Sequence, residues 1–142
     1  MKKSELIQII KEELNKALKE NSFNALDPLA PDWQDYEGYE TTLELYFDEY
    51  GLEDSQEFMS EYSNGDLINN LALDIAKRSG FKGNIGDLIN NEDLNNYCNW
   101  LATEFMLQYG KDMGLVNNMN FYKTEMAGIN SALKTAGKKL GL

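Results

Sequence analysis

The sequence predicts an all-α fold, a single compact bundle of about six helices. Three observations carry that expectation. β-Branched residues are scarce, with eight Ile, five Thr and one Val, whereas Leu, Lys, Glu and Ala are common, a balance that favours helices over strands. Apolar residues recur at spacings of three and four over long windows. Capping residues stand where those stripes begin. At 142 residues the chain is ordinary for one domain, long enough to bury about 70% of the surface its unfolded form exposes. No linker or low-complexity stretch divides it. A hydrophobic content of 42% and eight tyrosines argue against disorder in spite of a net charge of −11.

The first helix is expected to follow Ser4 as its N-cap and to run to about Glu20. Ile7, Ile10, Leu14 and Ala17 form its stripe, and Glu12 and Lys16 make an i,i+4 pair on the wet side. This stripe, with that of the last helix, could pair within one chain or across two, so monomer and homodimer are both open. A loop follows at Asp27-Pro28 and Pro31-Asp32, since each proline discourages helix in the residue before it. Asp32 is a candidate cap for a short helix ending near Gly38.

Residues 39–47 admit two readings. Tyr39, Thr41, Leu43, Leu45 and Phe47 alternate with other residues as in a half-buried strand, which allows one short hairpin there. The preferred reading is helical: Thr41 to Glu44 has the spacing of a capping box, Leu43, Phe47 and Tyr50 share a helix face, and Gly51 supplies a stop. Asp54 to Glu57 repeats the capping logic for a helix carrying Phe58, Met59 and Tyr62. The hexapeptide Gly-Asp-Leu-Ile-Asn-Asn then occurs twice, at 65–70 and 86–91, each copy with an expected cap, Ser63 or Asn84, three residues before its Asp. Two similar helix starts explain this better than a duplication, because solenoids need three or more units. The first copy leads into Leu67, Leu71 and Ile75 on one face, ending at Gly80.

From Asn91 to Tyr109 the chain is apolar nearly all round, with Tyr97, Cys98, Trp100, Leu101, Ala102, Phe105, Met106 and Leu107, so this helix belongs in the centre. Gly110 and Gly114 are expected to break it. A last helix from about Asn120 carries Tyr122, Met126, Ile129, Leu133, Ala136 and Leu140, and its basic end suits the negative helix terminus.

Charge provides the functional hint. Between Lys19 and Lys77 there is no Lys or Arg, while Asp and Glu recur every few residues among aromatics, and the two ends of the chain are mildly basic. A face built from Asp32, Asp35, Glu37, Glu40, Glu44, Asp48 and Glu49, with Trp33, Tyr36 and Tyr46 as anchors, is the candidate site for a basic partner surface. The plain alternative is a solvated surface that keeps the chain soluble. Direct nucleic-acid binding is disfavoured because such footprints are basic. No apolar run approaches a membrane span, and the opening lacks a signal-peptide core, so a cytoplasmic protein is expected.

Catalytic chemistry has few footholds. With no histidine and one cysteine, the usual zinc sets, histidine-based catalysis and an internal disulfide are excluded. Cys98 and Trp100 are expected as packing residues, and no cofactor or metal site is assigned. The enzymatic alternative is a magnesium-dependent all-α nucleotide pyrophosphohydrolase: Glu37-Gly38-Tyr39-Glu40 is similar to the first ExxE pair of the MazG kind, but no downstream ExxD follows.

The opening Lys2-Lys3-Ser4-Glu5-Leu6-Ile7-Gln8-Ile9-Ile10-Lys11-Glu12-Glu13-Leu14 resembles the lysine- and glutamate-rich starts of small proteins of marine T4-like bacteriophages. The resemblance covers about a tenth of the chain and implies a viral setting, with a virion or assembly component and a charge mimic as the two non-enzymatic roles. It assigns no site residue.

Overall fold

A helix with apolar side chains on nearly every side has to be surrounded, and the segment Glu92–Asp112 is. The computed structural model describes residues 36–142. A 3-10 turn over Glu37–Tyr39 leads into α1 (Glu40–Glu49), then α2 (Ser55–Asn64), α3 (Asp66–Arg78), α4 (Ile85–Asn90), α5 (Glu92–Asp112) and α6 (Met119–Lys139). α5 is the hub of this all-α bundle: α6 and α3 pack along it most extensively, and α1, α2 and α4 also border it. The Ser4-capped helix, the proline loop and the candidate residues Asp32, Trp33 and Asp35 lie outside the described residues.

Among the described residues there is no strand, so residues 39–47 form no hairpin. The reason is visible in burial. Tyr39, Leu43 and Phe47, at i, i+4 and i+8, are all buried, whereas Leu45, which a strand would set beside Leu43 and Phe47, is 63% exposed. The expected box at Thr41 is absent as well, because the 3-10 turn carries the helix back to Glu40 and leaves Thr41 inside α1.

Other starts follow the capping logic with one exchange of partners. Asp54 accepts from the Glu57 N–H at 2.8 Å, and the Glu57 carboxylate accepts from the Glu53 N–H at 2.9 Å. Asn84 and Asp87 form a reciprocal box at 2.9 and 3.1 Å that opens α4. Ser63 does not cap α3. It lies inside α2, which stops at Gly65 with φ 82°, and the Glu61 carboxylate accepts from the Leu67 N–H at 2.8 Å in its place. The two hexapeptides therefore do different work, one opening a helix of 13 residues and the other filling one of 6.

The core centres on Leu43, Phe58, Leu71, Ile75, Phe105 and Met106, all at most 1% exposed. Phe47 meets Tyr109 edge to face at 4.8 Å, and Phe58 stacks on Tyr62 at 5.9 Å. Gly110 does not break α5, which runs on to Asp112 before Gly114 turns the chain with φ 77°. Its role is steric: a Cβ built there would stand 2.3 Å from Cε2 of Phe58, so this ring seats directly on the α5 backbone. Cys98 is fully buried as expected, but Trp100 is not a core residue. It is 40% exposed, because it falls with Asp93 and Asn96 on the strip of α5 that borders the groove toward α6. Among the described residues no helix is long and apolar enough to cross a membrane.

Candidate functional site

The acidic residues of α1 are placed by the same periodicity that buries Leu43 and Phe47. Glu40, Glu44 and Asp48 recur every four residues, so their Cβ atoms follow one another at about 5–6 Å along a single flank. All three are exposed. That flank faces the C-terminal end of α5: the Tyr109 hydroxyl is pushed up from its ordinary pKa first by burial and then by the charges of Glu44, Asp48 and Glu40. Tyr36 ties the preceding turn to the same end of α5, its hydroxyl donating to Asp112 Oδ2 at 2.6 Å. Burial and that carboxylate together raise the Tyr36 pKa.

The structure divides the predicted face rather than presenting it whole. Glu49 and Tyr46 lie on the opposite flank of α1, where they join Thr42, Leu73 and Asp74 around a cavity of about 430 Å³ between α1 and α3. Tyr46 is half-buried there and directs its hydroxyl at the Asn70 carbonyl over a long 3.4 Å. Burial, followed by the Asp74 charge, pushes its pKa up to about 12. Tyr36 and Tyr46 are therefore engaged with their own fold, and neither stands free as an anchor. Leu45 forms the crest between the two flanks.

Neutralising charge sits on the α3 side. Arg78, the first arginine after the acidic stretch, pairs with Asp74 at 3.7 Å, donates to Thr42 Oγ1 at 2.8 Å and lies over the Tyr39 ring at 4.4 Å. Lys111 points the other way, 5.1 Å from the ring centre of Tyr122. Among the described residues, none of Glu40, Glu44 and Asp48 takes part in an ion pair.

Metal chemistry finds no ready ligand set here. Glu37 belongs to the 3-10 turn and Glu40 opens α1, and among the described residues no three Asp, Glu or Cys side chains gather as a metal site. The Cys98 thiol, pushed up to about 12 by burial, is held as the unreactive thiol.

Sequence reasoning missed two exposed apolar residues beside the acidic flank, Leu45 and Met113, the latter 57% exposed. It also missed Glu53, which lines the same edge. A signal for Met113 was present, since Tyr109 and Met113 are four residues apart and so share a side. Comparison with family models, with curated proteins and with solved structures finds no match to this chain.

Proposed function

We propose that this chain is a non-enzymatic protein-interaction module, acting in the cytoplasm, whose α1 flank carrying Glu40, Glu44 and Asp48 meets a basic surface of a partner protein. One observation carries the reading: three exposed carboxylates stand in a row on a helix anchored by the buried Leu43 and Phe47, and among the described residues no cation pairs with them. Exposed ion pairs contribute only ~0.2–1 kcal/mol each, so such a row supplies encounter rate and discrimination more than tight binding. Phosphate backbones would be repelled by it. Within the setting that the opening segment's resemblance implies, a charge mimic or an assembly component would use such a flank.

The test compares two triple substitutions of equal charge change in binding to an arginine-rich peptide. Glu40→Gln, Glu44→Gln and Asp48→Asn combined should abolish most of the affinity and flatten its decline with salt. Glu49→Gln, Glu92→Gln and Asp93→Asn, placed on other surfaces, should leave most of it. Equal weakening by both sets would reduce the acidic flank to bulk charge and refute the reading.

A further inference from the structure

Beside the acidic row the surface is not flat. Between α1 and the C-terminal end of α5 lies a cavity of about 270 Å³, below the size of most drug-like sites and suited to one side chain. Its rim holds three carboxylates, Glu44, Asp48 and Glu53, and its floor is apolar, formed by Phe47, Leu52 and Tyr109. Met113 stands exposed at the lip.

Two features point to an occupant. Tyr109 is 7% exposed, yet among the described residues its hydroxyl has no hydrogen-bond partner, although it lines the cavity within the field of Glu44 and Asp48. That hydroxyl opens to the cavity, where its oxygen can accept from an entering N–H donor. The three carboxylates, moreover, line one cavity without gathering closely enough to hold a metal ion. Spread carboxylates above an apolar, aromatic floor match a broad planar cation on an aliphatic stem.

We propose that this cavity receives the guanidinium side chain of an arginine on the partner protein. The stem lies along Leu52 and Met113, the planar head meets the Phe47 and Tyr109 rings, and its N–H groups donate to Glu44, Asp48 and Glu53. Phe47 and Tyr109 cross at 89°, so one ring offers its face where the other offers its edge. The chain uses the same recipe internally: Arg78 rests on the Tyr39 ring at 4.4 Å with the Asp74 carboxylate at 3.7 Å. This inference rests on the acidic flank being the binding surface and names the residue that the flank recognises.

The experiment titrates the full chain, labelled at its methionine methyls, with acetyl-Gly-Arg-Gly-amide, the lysine analogue and the uncharged citrulline analogue. The Met113 methyl, assigned through Met113→Leu, should shift saturably with the arginine peptide and not with citrulline, and lysine should bind at least threefold more weakly. Glu44→Gln with Asp48→Asn should cut the arginine affinity at least fivefold, and Tyr109→Phe should weaken it while leaving the far-ultraviolet spectrum unchanged. A silent Met113 methyl, an equal response to citrulline or equal binding of lysine would overturn the assignment. If the arginine-rich peptide still depends on Glu40, Glu44 and Asp48 while Met113 stays silent, the cavity fails and the acidic flank stands. If that dependence is also missing, both fail.

Discussion

Replacing Gly110 by alanine is the sharpest test of how this bundle is packed. Taken alone, a glycine within a helix is worth about 1 kcal/mol less than alanine, so the substitution should stabilise α5. The structure reverses that sign. The new Cβ would lie 2.3 Å from Cε2 and 2.6 Å from Cζ of Phe58, where carbon atoms prefer about 3.5–4.0 Å. Phe58 cannot swing aside, being fully buried with Phe47 and Tyr62 each 5.9 Å away. Overpacking of this severity costs about 3 kcal/mol, leaving a net loss of about 1–2 kcal/mol. For a chain of this size that lowers Tm by about 4–8 °C, measurable by calorimetry or urea unfolding. Gly128 is the control: it lies in α6 with nothing within 4 Å of the added carbon, so Gly128→Ala should raise stability by about 0.5–1 kcal/mol. In a Phe58→Leu background the penalty at position 110 should largely vanish, giving a coupling energy above about 1 kcal/mol. A Gly110→Ala protein as stable as the parent would refute the direct seating of Phe58 on the α5 backbone.

Three further outcomes follow from other contacts. Asp54→Ala, which leaves the Glu57 N–H without its cap, should cost about 1 kcal/mol in urea unfolding, and Asp54→Asn should restore most of it. Cys98, Tyr46 and Tyr97 have pKa values pushed up to about 12 from ordinary values of 9.0 and 10.0, with burial the first cause in each. A raised acid leaves stability intact below its unfolded pKa and removes it as pH climbs to the folded one, so Tm should hold to about pH 9 and fall steadily toward pH 12. Alkylation of Cys98 at pH 8 should accordingly require unfolding, and rapid labelling of the native chain would contradict its burial. Glu104 is half-buried and its pKa is raised by desolvation. Glu104→Gln should therefore increase Tm at pH 7, with the advantage closing as pH falls toward the ordinary carboxyl value of 4.5 and the wild-type carboxyl protonates; a decrease at pH 7 would show that the charge is stabilising.

Much of the fold was legible because one-dimensional periodicity and helix burial are the same fact. The Leu67, Leu71 and Ile75 stripe, the apolar run of α5 and the caps at Asp54 and Asn84 all reappear as helix faces and ends. What failed was decided by distant partners. Gly110 reads as a breaker until Phe58, fifty-two positions earlier, is seen resting on it. Ser63 reads as a cap until Gly65 turns the chain and Glu61 reaches the free N–H groups instead. The candidate site was legible as composition and not as shape: a run of acidic residues has no sides until the core selects which stripe of the helix to bury. Burial of Leu43 and Phe47 sends Glu40, Glu44 and Asp48 one way and Glu49 the other.

The position of α5 also sets a timetable. α1 finds its principal partner in a helix that ends more than sixty residues further along the chain. A ribosome adding about 5–20 residues per second delivers that partner only after about 3–12 s. Throughout that interval Leu43, Phe47 and Tyr50 have left the ribosome with no central helix to cover them. The carboxylates between and beside them then act as gatekeepers, interrupting an aromatic segment that would otherwise adhere to its copies on neighbouring ribosomes. The charge that marks the mature surface is thus already useful to the nascent chain, before any surface exists.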